Sequence, residues 1–188
     1  MDKVAFTSDS HYAHDNIIKY SNRPFANIEE MNTALVNGIN EVLPEGGTLY
    51  HLGDWSMSKI DYAFEFKNRI NKNIEIILIE GNHDDNKLRD PNFRKLFKGI
   101  YPLLEVHVNK KRITLCHYAM KTFNKMNHGA WHLYGHSHAG LPDDPNQLSL
   151  DVGVDSAYKI LGEYRPFTFT EIADWMSRKT FKALDHHI

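Results

Sequence analysis

Aspartate, asparagine and histidine residues gather in five short segments of this chain, in combinations that can bind metal ions. The chain has 12 histidines among 188 residues, more than a globular domain usually carries, and five of them lie in these segments. The segments are Asp9-Ser10-His11, Gly53-Asp54, Gly81-Asn82-His83-Asp84, His117 and Gly135-His136-Ser137-His138. Carboxylate, imidazole and amide-oxygen donors together suit divalent transition metals such as Mn, Fe, Co, Ni or Zn, whereas Mg and Ca sites are dominated by oxygen. The residue types therefore predict a transition-metal site.

Two of the segments have a spacing that lets neighbouring side chains bind one ion. In an extended chain, residues i and i+2 face the same side. Asp9 and His11 have this spacing, and so do His136 and His138. Each pair can therefore contribute two ligands to the same ion.

The first three segments follow short apolar stretches that are typical of strands. These stretches are Lys3–Ser8, Thr48–Leu52 and Ile74–Ile79, and helices are predicted between them over Ile28–Val42, with Asn27 as N-cap, and over about Lys59–Ile70. The alternation of strands and helices indicates an α/β layering. Because open α/β sheets place their sites at the carboxyl ends of strands, the polar segments can meet at one rim.

The second half of the chain predicts mostly antiparallel β structure, because short strand patterns alternate with turn-rich stretches. The strand patterns cover Val106–Val108, Arg112–His117, Trp131–Gly135 and Leu148–Val152. Residues 141–146 are predicted to form a loop. Thr170 is predicted to cap a C-terminal amphipathic helix that runs to about Ala183.

The ordered pattern of the five segments, D-x-H, G-D, G-N-H-D, H and G-H-x-H, resembles that of the calcineurin-like metallophosphoesterase superfamily. The stretches Phe6–Ile18, Asn22–Phe25 and Arg165–Phe167 are also similar to a small branch of bacterial and phage phosphoesterases, which extends the resemblance to nearly the whole chain. The resemblance implies an α/β fold in which a two-sheet β-sandwich is flanked by α-helices, in four α/β/β/α layers. It also implies one domain over residues 1–188, with a dimetal site on the rim of the strands.

The same resemblance implies a role for each residue of the five segments. One divalent ion would be held by Asp9, His11, Asp54 and His138, and the other by Asp54, Asn82, His117 and His136, with Asp54 as the bridge. Mn is the first choice of metal, with Fe, Zn, Ni and Co as further options. The ions would share a hydroxide that attacks phosphorus in line. His83 would donate a proton to the leaving oxygen, and Asp84 would orient the His83 ring.

Other residues with chemical potential lie outside the five segments. His14, Asn16 and Arg23 follow the first segment and can either bind substrate phosphate or stabilise their loop. The stretch Tyr118–Trp131 carries cations and aromatic residues, and a loop packed down by its aromatics is favoured over a substrate-facing one. The lone Cys116 is expected to be a small buried hydrophobe. The remaining histidines are expected to be structural or solvated, namely His51, His107, His128, His132, His186 and His187.

Charge and hydropathy narrow the range of partners. The chain has 22 basic and 24 acidic residues and a net charge of −2, which disfavours long duplex nucleic acid. No apolar run approaches the roughly 18 residues of a membrane span, and the first residues lack the layout of a signal peptide. We therefore expect no membrane association and a cytoplasmic location, while the resemblance implies a small phosphate ester as the partner.

The expected activity is metal-dependent hydrolysis of phosphoric esters. No insertion long enough for a capping domain interrupts the motifs, so we expect an open cleft, which suits either a phosphodiester of the small nucleotide type or an exposed phosphomonoester. The resemblance of the G-H-x-H ending to the family favours the phosphodiester. A phosphomonoesterase is the alternative enzyme, and a nuclease would show binding that weakens steeply with salt. A metal-binding interaction scaffold without catalysis is the alternative outside enzymes, and loss of a ligand or of His83 would favour it.

Overall fold

The computed structural model describes residues 3–57 and 59–182, so Ala183, His186 and His187 lie outside the described residues. Within these ranges the elements are, in chain order, β1 (Val4–Thr7), α1 (Asp15–Tyr20), α2 (Ile28–Val42), β2 (Gly47–His51), α3 (Ile60–Arg69), β3 (Ile74–Ile79), α4 (Pro91–Arg94), β4 (Gly99–Tyr101), β5 (Leu103–Val108), β6 (Lys111–Cys116), β7 (Trp131–Tyr134), β8 (Ser149–Asp151), α5 (Val154–Leu161), β9 (Phe167–Thr168) and α6 (Phe169–Ser177). Short 3-10 helices cover Lys87–Arg89 and Met126–His128. Among the described residues, no helix is long and apolar enough to cross a bilayer.

The first sheet contains the three strands that the apolar stretches predict. Its order is β4-β3-β2-β1-β9, with β1 to β4 parallel and β9 antiparallel to β1. In β3, Ile74, Ile76 and Leu78 are buried while Glu75 is exposed. Branched apolar side chains of this kind favour a pleated strand with at least one buried face. The predicted α/β order of the first half is therefore confirmed.

The second sheet has the order β5-β6-β7-β8, and its strand directions differ from the prediction. Only β5 and β6 pair in antiparallel fashion, across a tight turn. The pairs β6–β7 and β7–β8 are parallel, so the expectation of mostly antiparallel structure was wrong. Parallel neighbours need a crossover of roughly a dozen residues or more, and the turn-rich stretches 117–130 and 135–148 are long enough to provide one.

Two apolar layers hold the sheets and helices together. One layer lies between the first sheet and helices α2 and α3, and includes Val36, Phe66 and Ile76. The other joins side chains from both sheets, such as Phe6 and Leu133, with residues of α5 and α6. The molecule is thus a sandwich of two sheets flanked by helices, which confirms the expected α/β architecture.

The helix ends follow local capping chemistry. Helix α2 begins as predicted, because the Asn27 side chain accepts a hydrogen bond from the Glu30 backbone N–H at 2.9 Å. The last helix begins two residues earlier than predicted, because Thr168 rather than Thr170 is its N-cap. The Thr168 hydroxyl accepts the Glu171 N–H, and the Glu171 carboxylate accepts the Thr168 N–H. This reciprocal pair is a capping box, and α6 ends at Ser177 rather than near Ala183.

Gly38→Ala is expected to lower the free energy of unfolding by about 1–3 kcal/mol. Alanine normally favours a helix over glycine by roughly 1 kcal/mol. At this position of α2, however, a Cβ would lie 2.5 Å from the Tyr164 carbonyl oxygen and 2.9 Å from Arg165 Cβ. Urea unfolding measures the change, and the exposed neighbour Asn37→Ala is the control. A Gly38→Ala protein as stable as wild type would contradict the close packing.

Candidate metal centre

The five polar segments meet at the carboxyl ends of strands from both sheets. Asp9 and Asp54 follow β1 and β2, and the Asp9 backbone N–H donates to the Gly53 carbonyl at 3.0 Å. On the second sheet, the Gly135 N–H after β7 donates to the His117 carbonyl after β6 at 2.9 Å. The His136 N–H then donates to the Asp9 carboxylate at 2.9 and 3.1 Å. These bonds join the two sheets at the predicted rim.

A glycine permits the closest of these approaches. A Cβ on Gly135 would collide with the Ser8 hydroxyl and with the Asp9 carboxylate. Packing therefore explains the glycine of the G-H-x-H segment, because only a residue without a side chain lets the loop after β7 contact the end of β1.

Two groups of potential ligands form at this rim. Asp9, His11 and His138 make the first group, and Asp54, His117 and His136 make the second. In each group the ligand-type atoms lie within 4.8 Å of one another. These six residues are among the seven that the sequence predicts as metal ligands.

Asp54 connects the two groups, and Asn82 adds to the second. Asp54 Oδ2 lies 3.4 Å from His11 Nε2 in the first group and 3.6 Å from His117 Nε2 in the second. Asn82 Oδ1 lies 3.1 Å from His117 Nε2 and 3.0 Å from His136 Nδ1. The structure thus gathers all seven predicted ligands, with Asp54 between the two groups.

The burial of these side chains fits the binding of cations. Both ring nitrogens of His11 are buried without a hydrogen-bond partner, although buried polar atoms normally have one. Burial raises the pKa of Asp9 well above its usual value, and the neighbouring carboxylates Asp151 and Asp54 raise it further. A divalent ion would bind one of the His11 nitrogens and would stabilise the ionised form of the Asp9 carboxylate.

His117 is oriented for such a role. It is fully buried, and its Nδ1 lies 2.7 Å from the Leu52 carbonyl oxygen. Nδ1 must carry the proton to donate to a carbonyl, which leaves the lone pair of Nε2 toward Asp54 and Asn82. Burial lowers the pKa of His117 and so favours the neutral ring that metals require.

The backbone at the potential ligands is strained. Asp9, His11, Asp54, His136 and His138 have φ values of 57, 46, 57, 66 and 47°. This left-handed region disfavours residues with a side chain by roughly 1–2 kcal/mol each. Such strain persists where the surroundings impose it, and it concentrates at functional sites.

Arg23 is engaged inside the protein, which favours loop stabilisation over phosphate binding, the two roles that its place in the sequence allows. Its side chain is fully buried, and its Nε and Nη2 donate to the two oxygens of Asp155 at 2.8 and 2.9 Å. Its Nη2 also donates to the Asp9 carbonyl at 2.8 Å, and Nη1 donates to the Ser10 carbonyl at 3.2 Å. The donors of the guanidinium group are used inside the protein, where they hold the first ligand segment in place.

Asp155 is a site residue that the sequence patterns did not reveal. It lies in α5, an element that was also not predicted, and its Oδ2 is 2.7 Å from His138 Nδ1. Burial tends to raise the pKa of Asp155, but the hydrogen bonds from His138 and Arg23 bring it below its usual value. The Asp155 carboxylate therefore accepts a hydrogen bond from the Nδ1–H of His138, which leaves Nε2 of that ring available to an ion.

The Asp84 carboxylate accepts hydrogen bonds from backbone N–H groups and not from the His83 ring. Its carboxylate accepts the N–H groups of Asp54 at 2.8 Å, Trp55 at 3.1 Å and Gly81 at 3.1 Å. Burial raises its pKa to about 7. The predicted role as orienter of His83 differs from these contacts, which instead fasten the segment after β2 to the segment after β3.

His83 itself is exposed at the edge of the centre. Its ring centroid lies 5.2 Å from that of His11, and its backbone N–H donates to Asp54 Oδ1 at 3.0 Å. Lys87 Nζ donates to the His83 carbonyl at 2.9 Å and to the Ser56 carbonyl at 2.7 Å. The loop is thus fixed while the imidazole is accessible.

The remaining candidates divide between the rim and the rest of the molecule. His14 is half-buried with its ring 5.6 Å from His11, and Asn16 is exposed on α1. The stretch 118–131 is packed down largely by Phe123, Met126 and Ala130, as expected. Its first residue, the exposed Tyr118, nevertheless contacts the rings of His117 and His136.

Three comparisons with known proteins bear on this geometry. The chain is 35% identical over 162 residues to the uncharacterised protein MJ1445 of Methanocaldococcus jannaschii, which covers 82% of this chain and 83% of the archaeal protein. The fold matches that of AQ665 of Aquifex aeolicus, a protein of unknown function, with a TM-score of 0.68 and 22% identity over 92% of this chain and 98% of that one. It matches a novel archaeal phosphodiesterase with a TM-score of 0.52 and 18% identity over 84% and 87%. No established family profile matches the chain.

The two-sheet architecture is thus shared with AQ665 and with the archaeal phosphodiesterase. The chain belongs to one family with the archaeal protein MJ1445.

Asp155→Asn is expected to weaken metal binding by about 10- to 100-fold, the usual cost of losing a carboxylate that orients a ligand histidine. The variant keeps the size of the side chain but removes the charge that faces His138 Nδ1 and Arg23. Titration calorimetry with Mn²⁺ measures the affinity, and Asp174→Asn, an exposed position on α6, is the control. Equal affinity in the two variants would contradict the assigned role of Asp155.

Proposed function

We propose that this protein is a dimetal-dependent hydrolase of phosphoric esters. The observation that carries the proposal is the position of Asp54, whose Oδ2 lies within 3.6 Å of one imidazole from each ligand group. A carboxylate in this position can bridge two cations. Asp9, His11 and His138 would complete one site, and Asn82, His117 and His136 would complete the other.

The chain offers the ligands that a pair of transition-metal ions needs. When bound, the ions supply positive charge for the phosphoryl oxygens and lower the pKa of water toward neutrality. Two divalent ions would outweigh the carboxylates Asp9 and Asp54, so the centre would attract an anionic ester despite the net charge of −2. Mn fits the mixed nitrogen and oxygen donors, as do Fe, Co, Ni and Zn.

His83 is suited to donate a proton to the leaving oxygen. Its ring is exposed beside His11, while hydrogen bonds to Asp54 and Lys87 fix its backbone. A donor that is positioned in this way contributes roughly 10²- to 10⁴-fold in rate when the leaving group is poor.

Two exposed tyrosines favour a substrate with an aromatic group. Tyr118 is 47% exposed beside His117 and His136, and Tyr20 is 73% exposed beside His14. Tyr118 borders the second ligand group and Tyr20 borders His14, and both rings can stack on a nucleobase or an aryl ring. Together with a fold shared with an archaeal phosphodiesterase, this supports a small nucleotide-type phosphodiester over a phosphomonoester.

Asp54→Asn is expected to reduce hydrolysis of a bis-aryl phosphodiester by more than about 100-fold, because one substitution weakens the binding of both ions. The activity is measured with added Mn²⁺, and the metal content is measured by atomic emission. Asp61→Asn on the exposed face of α3 is the matched control. Full activity and metal content in Asp54→Asn would refute the bridging role, and a wild-type protein inactive with every divalent metal would favour the scaffold alternative.

His83→Ala is expected to slow esters with poor leaving groups by about 100-fold or more, and activated aryl esters by about tenfold or less. The reason is that a good leaving group departs without a proton. The rates of both ester classes are measured on the same preparation, so that the activated ester serves as the internal control, and the metal content is expected to stay unchanged. Equal losses on both classes would argue against proton donation by His83.

A further inference from the structure

A basic cavity lies at the turn between β5 and β6, away from the metal centre. Its volume is about 300 Å³, and its charged and titratable lining residues are His107, Lys110, Lys111, Arg112, Lys125 and His128. Among the described residues no carboxylate lines it. His107 and His128 were expected to be structural or solvated, and the stretch 118–131, which contains Lys125, was expected to be a packed loop rather than a substrate-facing one.

Two of the four cations are already engaged within the protein. Arg112 forms an ion pair with Glu105 at 3.3 Å. Lys111 Nζ donates to the Gly129 carbonyl at 3.2 Å and lies 5.0 Å from the centroid of the Trp131 ring. Lys110 and Lys125 are exposed and form no ion pair with any described residue, so their charges remain available to a ligand.

The backbone at these two lysines is unusual for their residue type. Lys110 has a φ of 67° and follows Asn109 with a φ of 48°, while Lys125 has a φ of 58°. Two-residue hairpin turns with both φ values positive favour glycine at the second position. Lysine therefore occupies two strained positions on the same cavity, and strain of this kind points to a function of the side chain.

We propose that this cavity binds an anion made of several linked phosphate groups, such as an oligophosphate or the phosphate tail of a nucleotide. The volume lies at the lower end of the range for small-molecule sites. The nearby aromatic ring, Trp131, is 6% exposed and covered by Lys111, so the cavity offers positive charge rather than a stacking surface. Phosphate oxygens are the group that clustered lysines recognise best.

The cavity is a second site and not an extension of the metal centre. Lys111 is the first residue of β6, and His117 follows the last. Because a strand rises about 3.3 Å per residue, the cavity at Lys111 lies about 20 Å from the metal centre at His117. A mononucleotide cannot reach across this distance. The proposal therefore stands apart from the proposed hydrolase activity.

The test uses titration calorimetry of the full chain with tripolyphosphate, after removal of divalent ions by a chelator so that the metal centre does not compete. The combined variant Lys110→Gly and Lys125→Gly is expected to bind at least about tenfold more weakly. Glycine suits the left-handed backbone at both positions, so the unfolding temperature is expected not to fall. The control variant, Lys72→Ala with Lys95→Ala, removes two exposed lysines elsewhere and is expected to bind within about twofold of wild type.

Several outcomes would overturn the proposal. These are the absence of saturable binding to the wild-type chain, and equal weakening in the glycine and control variants. Tighter binding of a single-stranded oligonucleotide through the same two lysines would replace the small ligand by a nucleic-acid strand. Hydrolysis of the bis-aryl diester by the metal-loaded glycine variant is expected to match wild type, so failure of the hydrolase proposal would be seen separately.

Discussion

The burial of acidic and imidazole side chains at the junction of the two sheets is the main physical constraint on this structure. Asp9, His11 and Asp54 are at most 2% exposed. Burial moves the pKa of Asp9 upward and that of His11 downward, so it disfavours the charged form of each. Protonation would neutralise the buried carboxylates. Bound cations would instead let the carboxylates stay ionised and would give the neutral imidazoles a partner.

The two sheets contribute different chemistry to this junction. The strand ends of the first sheet supply Asp9, Asp54 and Asn82, and those of the second supply His117 and the two histidines after β7. Oxygen donors thus come mainly from one sheet and nitrogen donors from the other. The mixed set exists only when the apolar layer between the sheets is formed, which makes the assembly of the site a result of sheet packing.

The clustering of the aspartate and histidine segments and the first sheet were predictable because their signals are local. An apolar stretch that ends in Asp9 or Asp54 predicts both a strand and the polar residue at its carboxyl end. The Arg23–Asp155 pair was not predictable in this way, since the partners are 132 positions apart and no local pattern marks Asp155. Adjacency in sequence was also misleading for Asp84 and His83. The Asp84 carboxylate binds backbone N–H groups, while the His83 ring faces solvent. Strand direction in the second sheet likewise depends on where long connections run.

The left-handed backbone at five of the clustered aspartate and histidine positions has an evolutionary consequence. Glycine tolerates that conformation better than aspartate or histidine. In a duplicated copy of the gene that is released from selection for its chemistry, substitutions at these positions would be tolerated and would tend to increase thermal stability. Retention of all five in a homologue would therefore indicate continued selection for activity, and their joint loss would mark a copy kept for its shape alone.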